Sequence, residues 1–185
     1  MNKLRVHPMK LILLLTALLS SGVFASDFDE TMELAIEGNM AAQYNIGVMY
    51  SSGIGVEEDY EKAIEWLGKA ALQGFQEAQV NLGVMHGYGQ GVPINHFEAI
   101  RWFSMAAKNG VGFAQYNLGM QYFFGKGVPA DKIRGVSWWM LASKQGDADA
   151  SNNLKIIKKE MTSTQYSEAQ ALAAKCYESS YKDCD

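Results

Sequence analysis

The sequence predicts an all-α protein: an α/α superhelical solenoid of helix–loop–helix repeats with capping helices at both ends. The first observation is a period of 36 residues that needs no gap, and it includes Gly38, Gly74, Gly110, Gly146, Trp66, Trp102 and Trp138. A fixed period between about 20 and 50 residues indicates a repeat array. The second is a chain with only 3 prolines and no strand-like alternation. Such a scaffold is expected to bind a partner.

Residues 1–25 are predicted to be a secretory signal peptide. Three basic residues precede an apolar run from Leu11 to Leu19, and Val23 and Ala25 supply the small residues that a signal peptidase reads. The run is much shorter than the roughly 20 residues of a membrane-spanning helix, so an uncleaved anchor is the weaker alternative. No Cys follows the cleavage site, which disfavours a lipoprotein. We expect cleavage after Ala25 and a periplasmic or secreted mature chain.

The charge of the mature chain argues against nucleic acid and anionic lipid as partners. The full chain has 16 Lys and Arg against 20 Asp and Glu, and removing the three basic residues of the leader leaves 13 against 20, a net of −7. Both of those partners require a basic patch. The remaining 160 residues suffice for one domain with a continuous core, without stable membrane insertion.

The repeats follow a short predicted helix. Residues 26–37 form this N-terminal cap, with acidic residues in its first turn and Gly38 at its end. In repeat 1 (38–72), apolar residues at helical spacing predict one helix over Met40–Ser51 and a second over Glu58–Leu72, joined by a glycine-containing loop. Repeat 2 (73–108) and repeat 3 (109–144) have the same order of elements.

Two columns of the repeat are predicted to have structural roles. Gly47, Gly83 and Gly119 fall inside the first helix of each repeat. Glycine there costs about 1 kcal/mol relative to alanine, so its recurrence predicts close helix approach. The tryptophan column is predicted to lie in the core, because each indole buries roughly 150–250 Å².

The recurring pattern Ala-x-x-x-Leu-Gly-x-x-Tyr, Gly-x-Gly-Val and Asp-x-x-x-Ala-x-x-Trp-x-x-x-Ala-Ala-x-x-Gly resembles the Sel1-like repeat, a relative of the tetratricopeptide repeat. In the first copy it is carried by Ala42, Ile46, Gly47, Tyr50, Gly53, Gly55, Val56, Asp59, Ala63, Trp66, Ala70, Ala71 and Gly74. The resemblance covers Ala35 to about Leu154. It implies a right-handed superhelix whose first helices line a concave face. Two residues depart from the pattern, His86 for Tyr and Gly135 for Ala.

Residues 145–185 are predicted to be a partial repeat and a C-terminal capping helix. On a continuous helix, the Cα atoms of Cys176 and Cys184 would be about 12 Å apart, beyond the roughly 7 Å that a disulfide allows. An even cysteine count in an exported chain nevertheless favours a pair. We therefore expect the helix to stop near Tyr177–Ser180 and the chain to fold back; two free thiols are the alternative. Cysteine-rich Sel1-like proteins have a similar eight-residue spacing.

No catalytic, cofactor or metal site is predicted. The Gly-x-Gly loops join helix to helix and lack the strand and the Gly-Lys-Ser/Thr of a phosphate loop. Beyond the leader, His86 and His96 are interpreted as packing or surface residues, and no Ser/His/acid or Cys/His set is found. The chain is expected not to be an enzyme. Some cysteine-rich relatives of the resembled family are linked to penicillin binding, so a cell-wall or penicillin-binding protein or weak hydrolase is the alternative function.

The expected function is that of an exported protein–protein interaction scaffold, which binds a peptide or partner protein on the concave face. A folding or assembly partner of exported proteins is a further possibility. The candidate binding residues form an apolar strip on the first helices: Tyr44, Val48, Val80, Val84, Phe113, Tyr116, Met120 and Phe123. Packing between neighbouring first helices is the other role open to this strip. Partner choice is expected where copies differ, at Ala41/Glu77/Phe113 and Ser51/Gly87/Phe123.

Overall fold

A computed structural model describes the backbone of residues 24–184 and the side chains of residues 27–184. The predicted signal peptide, apart from the backbone of its last two residues, lies outside this range. The described chain is all-α, as predicted, with nine helices: α1 (Phe24–Ile36), α2 (Met40–Ser52), α3 (Tyr60–Leu72), α4 (Gln76–Tyr88), α5 (His96–Ala107), α6 (Gly112–Phe124), α7 (Lys132–Lys144), α8 (Ala148–Ile157) and α9 (Ser163–Glu178). It divides into an N-terminal unit, α1–α4, and a C-terminal unit, α5–α9.

In the N-terminal unit each helix packs against the next one in the chain. Gly47 marks the crossing of α2 and α3, since a Cβ there would lie 2.6 Å from Leu67 Cγ. Close approach at this glycine is confirmed. Asp59 then begins α3 as its N-cap, where the carboxylate accepts a hydrogen bond from the Lys62 backbone N–H at 3.0 Å.

In the C-terminal unit α7 is the central helix, because α6, α8 and α9 all pack against it. At the crossing of α6 and α7, a Cβ on Gly119 would lie 2.5 Å from Trp139 Cδ1 and 2.8 Å from the Gly135 carbonyl oxygen. The core of this unit is a cluster of large and small apolar side chains: Met120, Phe123, Val136, Trp139, Ala142, Ala150, Ile157 and Ala169.

The prediction that the tryptophan column lies in the core holds for two of its three members. Trp102 and Trp138 are buried. Trp66 is partly exposed, with the Lys69 ammonium 3.8 Å from its ring centroid. The fully buried column is the next one, Leu67, Phe103 and Trp139. Its chemical variety hides it from a search for identical residues.

A column of identical glutamines links each first helix to the helix before it by a hydrogen bond. The buried side chains of Gln43, Gln79 and Gln115 donate from Nε2 to the carbonyl oxygens of Ala35, Ala71 and Ala107, at 3.1, 3.0 and 3.2 Å. Each bond is a second hydrogen bond to a carbonyl at the end of a helix, which also accepts from the backbone N–H of the glycine three residues later. The predicted repeat pattern includes Ala42, which neighbours Gln43, but does not include the glutamine column.

The C-terminal end folds back on itself as predicted. Helix α9 ends at Glu178, and Ser180 and Tyr181 adopt positive φ angles of 55° and 63°, which reverse the chain. The reversal brings the Cα atoms of Cys176 and Cys184 to 4.3 Å, and the two cysteines form a disulfide. The disulfide prediction is confirmed.

Candidate partner-binding surface

In the N-terminal unit, one residue of the predicted strip, Tyr44, packs on the next first helix. The Tyr44 ring of α2 lies 4.9 Å from the ring of Phe75, the residue that precedes α4. Burial raises the pKa of the Tyr44 hydroxyl, and a hydrogen bond with Asn81 opposes that shift. Val84 is buried, whereas Val48 and Val80 are half-buried. Tyr44 and Val84 therefore favour the packing role, whereas Val48 and Val80 keep part of their surface exposed.

In the C-terminal unit, the strip divides along α6. Phe113 and Tyr116 are half-buried. Met120 and Phe123 belong to the core, and Phe123 stacks on Trp139 with ring centroids 4.8 Å apart. Phe113 and Tyr116 therefore offer more surface to a partner than Met120 and Phe123 do.

The two variable columns of the repeat differ in their burial. Ser51, Gly87 and Phe123 are all buried, so variation in that column changes internal packing. In the other column, Ala41 and Glu77 are exposed and Phe113 is half-buried. This second column can alter what the first helices present to solvent.

The described residues offer little for other chemistry. No group of three or more His, Cys, Asp or Glu side chains between residues 27 and 184 is arranged to hold a metal ion. No helix of the described chain is long and apolar enough to cross a membrane. Burial, assisted by the nearby Lys126 charge, lowers the pKa of the His96 imidazole.

The helical hairpins, the glycines at their crossings and the 36-residue register define a class of protein, the helical-repeat scaffolds. The Sel1 repeat model matches residues 41–75, 76–111 and 112–147, more than half of the chain. The chain belongs to the Sel1 repeat family. Each matched segment begins three residues later than the corresponding predicted repeat, 38–72, 73–108 or 109–144. No curated protein matches the chain.

Two solved structures are similar to this chain. A Sel1 repeat protein from Oxalobacter formigenes is 34% identical, with a TM-score of 0.64 over 70% of this chain and 97% of the other. The protein c5321, described as a protective antigen present in uropathogenic Escherichia coli strains and displaying an SLR fold, is 26% identical, with a TM-score of 0.55 over 83% of this chain. The present chain spans 42% of that antigen's length.

Proposed function

We propose that the protein is an exported interaction scaffold whose first helices bind a peptide or partner protein. The observation that carries the proposal is the half-buried pair Phe113 and Tyr116 on α6, of which Phe113 stands in the column that varies between copies and meets solvent. The family supports a scaffold role, because stacked repeats present extended surfaces to partners. Aromatic side chains at such surfaces are typical anchors of protein interfaces.

Export has its own support. The disulfide between Cys176 and Cys184 is the kind of bond that persists in oxidising compartments outside the cytosol. The description of the similar Escherichia coli chain as a protective antigen agrees with such a location. Cell fractionation and N-terminal sequencing test it: a mature chain that begins at Ser26 is expected outside the cytosol, and an intact chain in the cytosol would contradict export.

The binding surface is tested with the mature chain as bait in a crosslinked pull-down from the exported fraction. Phe113→Ser is expected to abolish partner capture and to leave the helical content by circular dichroism unchanged. Phe124→Ser is the matched control, since Phe124 is 41% exposed at the far end of the same helix and outside the strip. Equal capture by wild type and the Phe113 variant would overturn the role of this surface.

The alternative, a cell-wall or penicillin-binding protein or weak hydrolase, gives a different result. It predicts co-sedimentation of the mature chain with purified cell wall, or stable labelling by a fluorescent penicillin. Neither is expected for the interaction scaffold. Labelling lost on denaturation of the protein before the reaction would favour the alternative.

A further inference from the structure

The N-terminal unit has an exposed apolar patch that lies outside the strip. Its four side chains are Leu34, Ile36, Met40 and Leu72, with 45, 70, 45 and 71% of their surface exposed. We call these residues the turn patch, because three flank the α1–α2 turn and Leu72 ends α3. Gln73 joins the two places: its Nε2 donates to the Gly38 carbonyl oxygen at 3.1 Å. Single exposed apolar side chains are common, but a group of them indicates a contact surface.

Folding does not require apolar side chains at the centre of this patch. Ile36 and Leu72 occupy the same column of the 36-residue register, and the later members of that column are Lys108 and Lys144. A position that accepts lysine in two copies has no structural need for a branched apolar residue. Ile36 and Leu72 therefore indicate an apolar contact with a partner. Lys108 and Lys144, at the same column in the C-terminal unit, do not make such a contact.

The charge on the α1 side of the patch has one sign, whereas on α3 Lys69, three residues before Leu72, pairs with Glu65 at 2.7 Å. Residues 26–61 contain nine Asp and Glu and no Lys or Arg, whereas residues 62–185 contain 13 Lys and Arg against 11 Asp and Glu. Five of these nine acidic residues lie between Asp27 and Glu37, on α1 and at its end, and the other four lie between Glu57 and Glu61, in the α2–α3 loop and the start of α3. All five carboxylates between Asp27 and Glu37 are exposed. On α1, Leu34 is four residues after Glu30 and three before Glu37, so these side chains share one face.

We propose that the turn patch and the acidic face of α1 bind a basic amphipathic helix of a partner protein. The apolar stripe of that helix covers Leu34, Ile36, Met40 and Leu72, and its flanking Lys and Arg side chains face the α1 carboxylates. Helix-on-groove recognition of this kind uses apolar anchors at spacings of three and four residues. The same carboxylates repel nucleic acid and anionic lipid. This surface is separate from Phe113 and does not depend on the function proposed above.

The test uses the chain from Ser26, so that the basic leader cannot compete. The probe is a fluorescein-labelled helix of about 18 Leu and Lys residues with its leucines on one face, and the matched probe has Glu in place of Lys. Fluorescence anisotropy at about 50 and about 300 mM NaCl is expected to show binding of the Lys probe alone, weaker at high salt. Ile36→Ser with Leu72→Ser is expected to weaken binding at least about tenfold. Glu30→Gln with Glu33→Gln and Glu37→Gln is expected to weaken it about tenfold and to flatten the salt dependence.

Two controls separate this surface from general stickiness and net charge. Ile94→Ser removes an apolar side chain that is 61% exposed elsewhere in the same unit. Glu57→Gln with Glu58→Gln and Glu61→Gln removes the same charge from exposed positions outside α1. Both controls, and Phe113→Ser, are expected to retain wild-type affinity to within about twofold. Circular dichroism checks that every variant is folded.

Several outcomes overturn the proposal. Absence of Lys-probe binding does so, and so does equal weakening by a control and its matched patch variant. If Phe113→Ser abolishes binding while the patch variants retain it, the strip and not the patch binds basic helices. Sedimentation of the chain without probe detects the remaining occupant. A dimer that the Ile36 and Leu72 substitutions dissociate would assign the patch to a second copy of this chain.

Discussion

The α2–α3 hairpin of the first repeat and the α6–α7 hairpin of the third share one sequence frame but fill it differently. In the first, Leu67 lies over Gly47. In the third, the Trp139 indole lies over Gly119 and also donates to the Tyr116 carbonyl oxygen at 3.2 Å. The glycine column marks where the helices cross. The side chain opposite the glycine decides how much of each hairpin is core.

The larger filling of the third hairpin explains two other departures from the repeat. Phe123 replaces the buried Ser51 and stacks on Trp139. Gly135 stands where the first hairpin has Ala63, and a Cβ there would lie 2.8 Å from the Phe123 backbone nitrogen. A larger side chain on one helix therefore accompanies a smaller residue on the other. Glycine replaces alanine at position 135 because Phe123 leaves no room for a Cβ.

Removal of the indole is expected to have the largest effect. Trp139 is 0% exposed, so Trp139→Ala leaves a cavity and removes the indole hydrogen bond, and should lower the free energy of unfolding by about 3–5 kcal/mol. Trp66→Ala, at the partly exposed position that repeat identity emphasises, should lower it by about 1 kcal/mol. Urea denaturation measures both. Equal losses of stability in the two variants would show that Trp66 contributes as much to the core as Trp139 does.

Alanine at the two crossing glycines comes next. Gly119→Ala places a Cβ against a rigid indole and a backbone oxygen, and is expected to destabilise by about 3 kcal/mol. Gly47→Ala meets mainly the Leu67 side chain, which has more freedom to move, and should cost about 1–2 kcal/mol. Urea midpoints give the comparison. A gain of stability at either site, as helix propensity alone predicts, would contradict the close approach.

The third prediction compares two glutamines in one column. Gln73 donates to Gly38 and, at 2.7 Å, to Gln43 Oε1. Gln145 donates instead to the Tyr181 hydroxyl at 2.7 Å, from the segment that the disulfide closes. Replacing both cysteines by Ser should cost about 2–3 kcal/mol, because the unfolded chain gains freedom.

A double-mutant cycle separates these two glutamines. Gln145→Ala should cost about 0.5–1 kcal/mol in the oxidised protein and almost nothing once the cysteines are replaced. Gln73→Ala should cost the same in both backgrounds, so it is the matched control. Additive losses at Gln145 would mean that Tyr181 holds its place without the disulfide.

The smallest expected effect concerns the N-cap of α3. Hydrogen bonds from the Lys62 backbone and side chain hold the pKa of Asp59 below its usual value of 3.8. A carboxylate with a lowered folded-state pKa stabilises the protein above its unfolded-state pKa, and this contribution disappears as the pH falls through the folded value. Asp59→Asn keeps a cap without this titration.

The stability advantage of wild type over Asp59→Asn should therefore shrink as the pH falls below about 3.8. Urea midpoints between pH 2 and pH 7 are the measurement (roughly the span over which carboxyl groups titrate). Glu57→Gln removes a loop carboxylate that is not a cap and serves as the control. An advantage that is constant over this range would show that the cap acts without its charge.

Much of the fold was accessible from the sequence because repetition makes local signals add. The 36-residue register, the crossing glycines and the helix pairs all correspond to the structure. The fold-back between Cys176 and Cys184, which was predicted from the spacing of the two cysteines, also corresponds to it. The candidate strip was harder to interpret, because helical spacing shows which residues share a face but not what covers that face. Val84, Met120 and Phe123 are covered. The role of the strip residues in contacting a partner stays a prediction.

The sequence was enough to predict a helical repeat of the Sel1 type, the positions where its helices cross and the fold-back at its C-terminal end. Identical residues that recur at one period indicate the first two features, and the count and spacing of the two cysteines indicate the third. The packed structure was needed to show that Trp139 is buried and Trp66 is not, that Phe123 belongs to the core, and that Ile36 and Leu72 are exposed to solvent. Burial depends on which neighbouring helix reaches a side chain, and that is a property of the packed chain rather than of any one repeat.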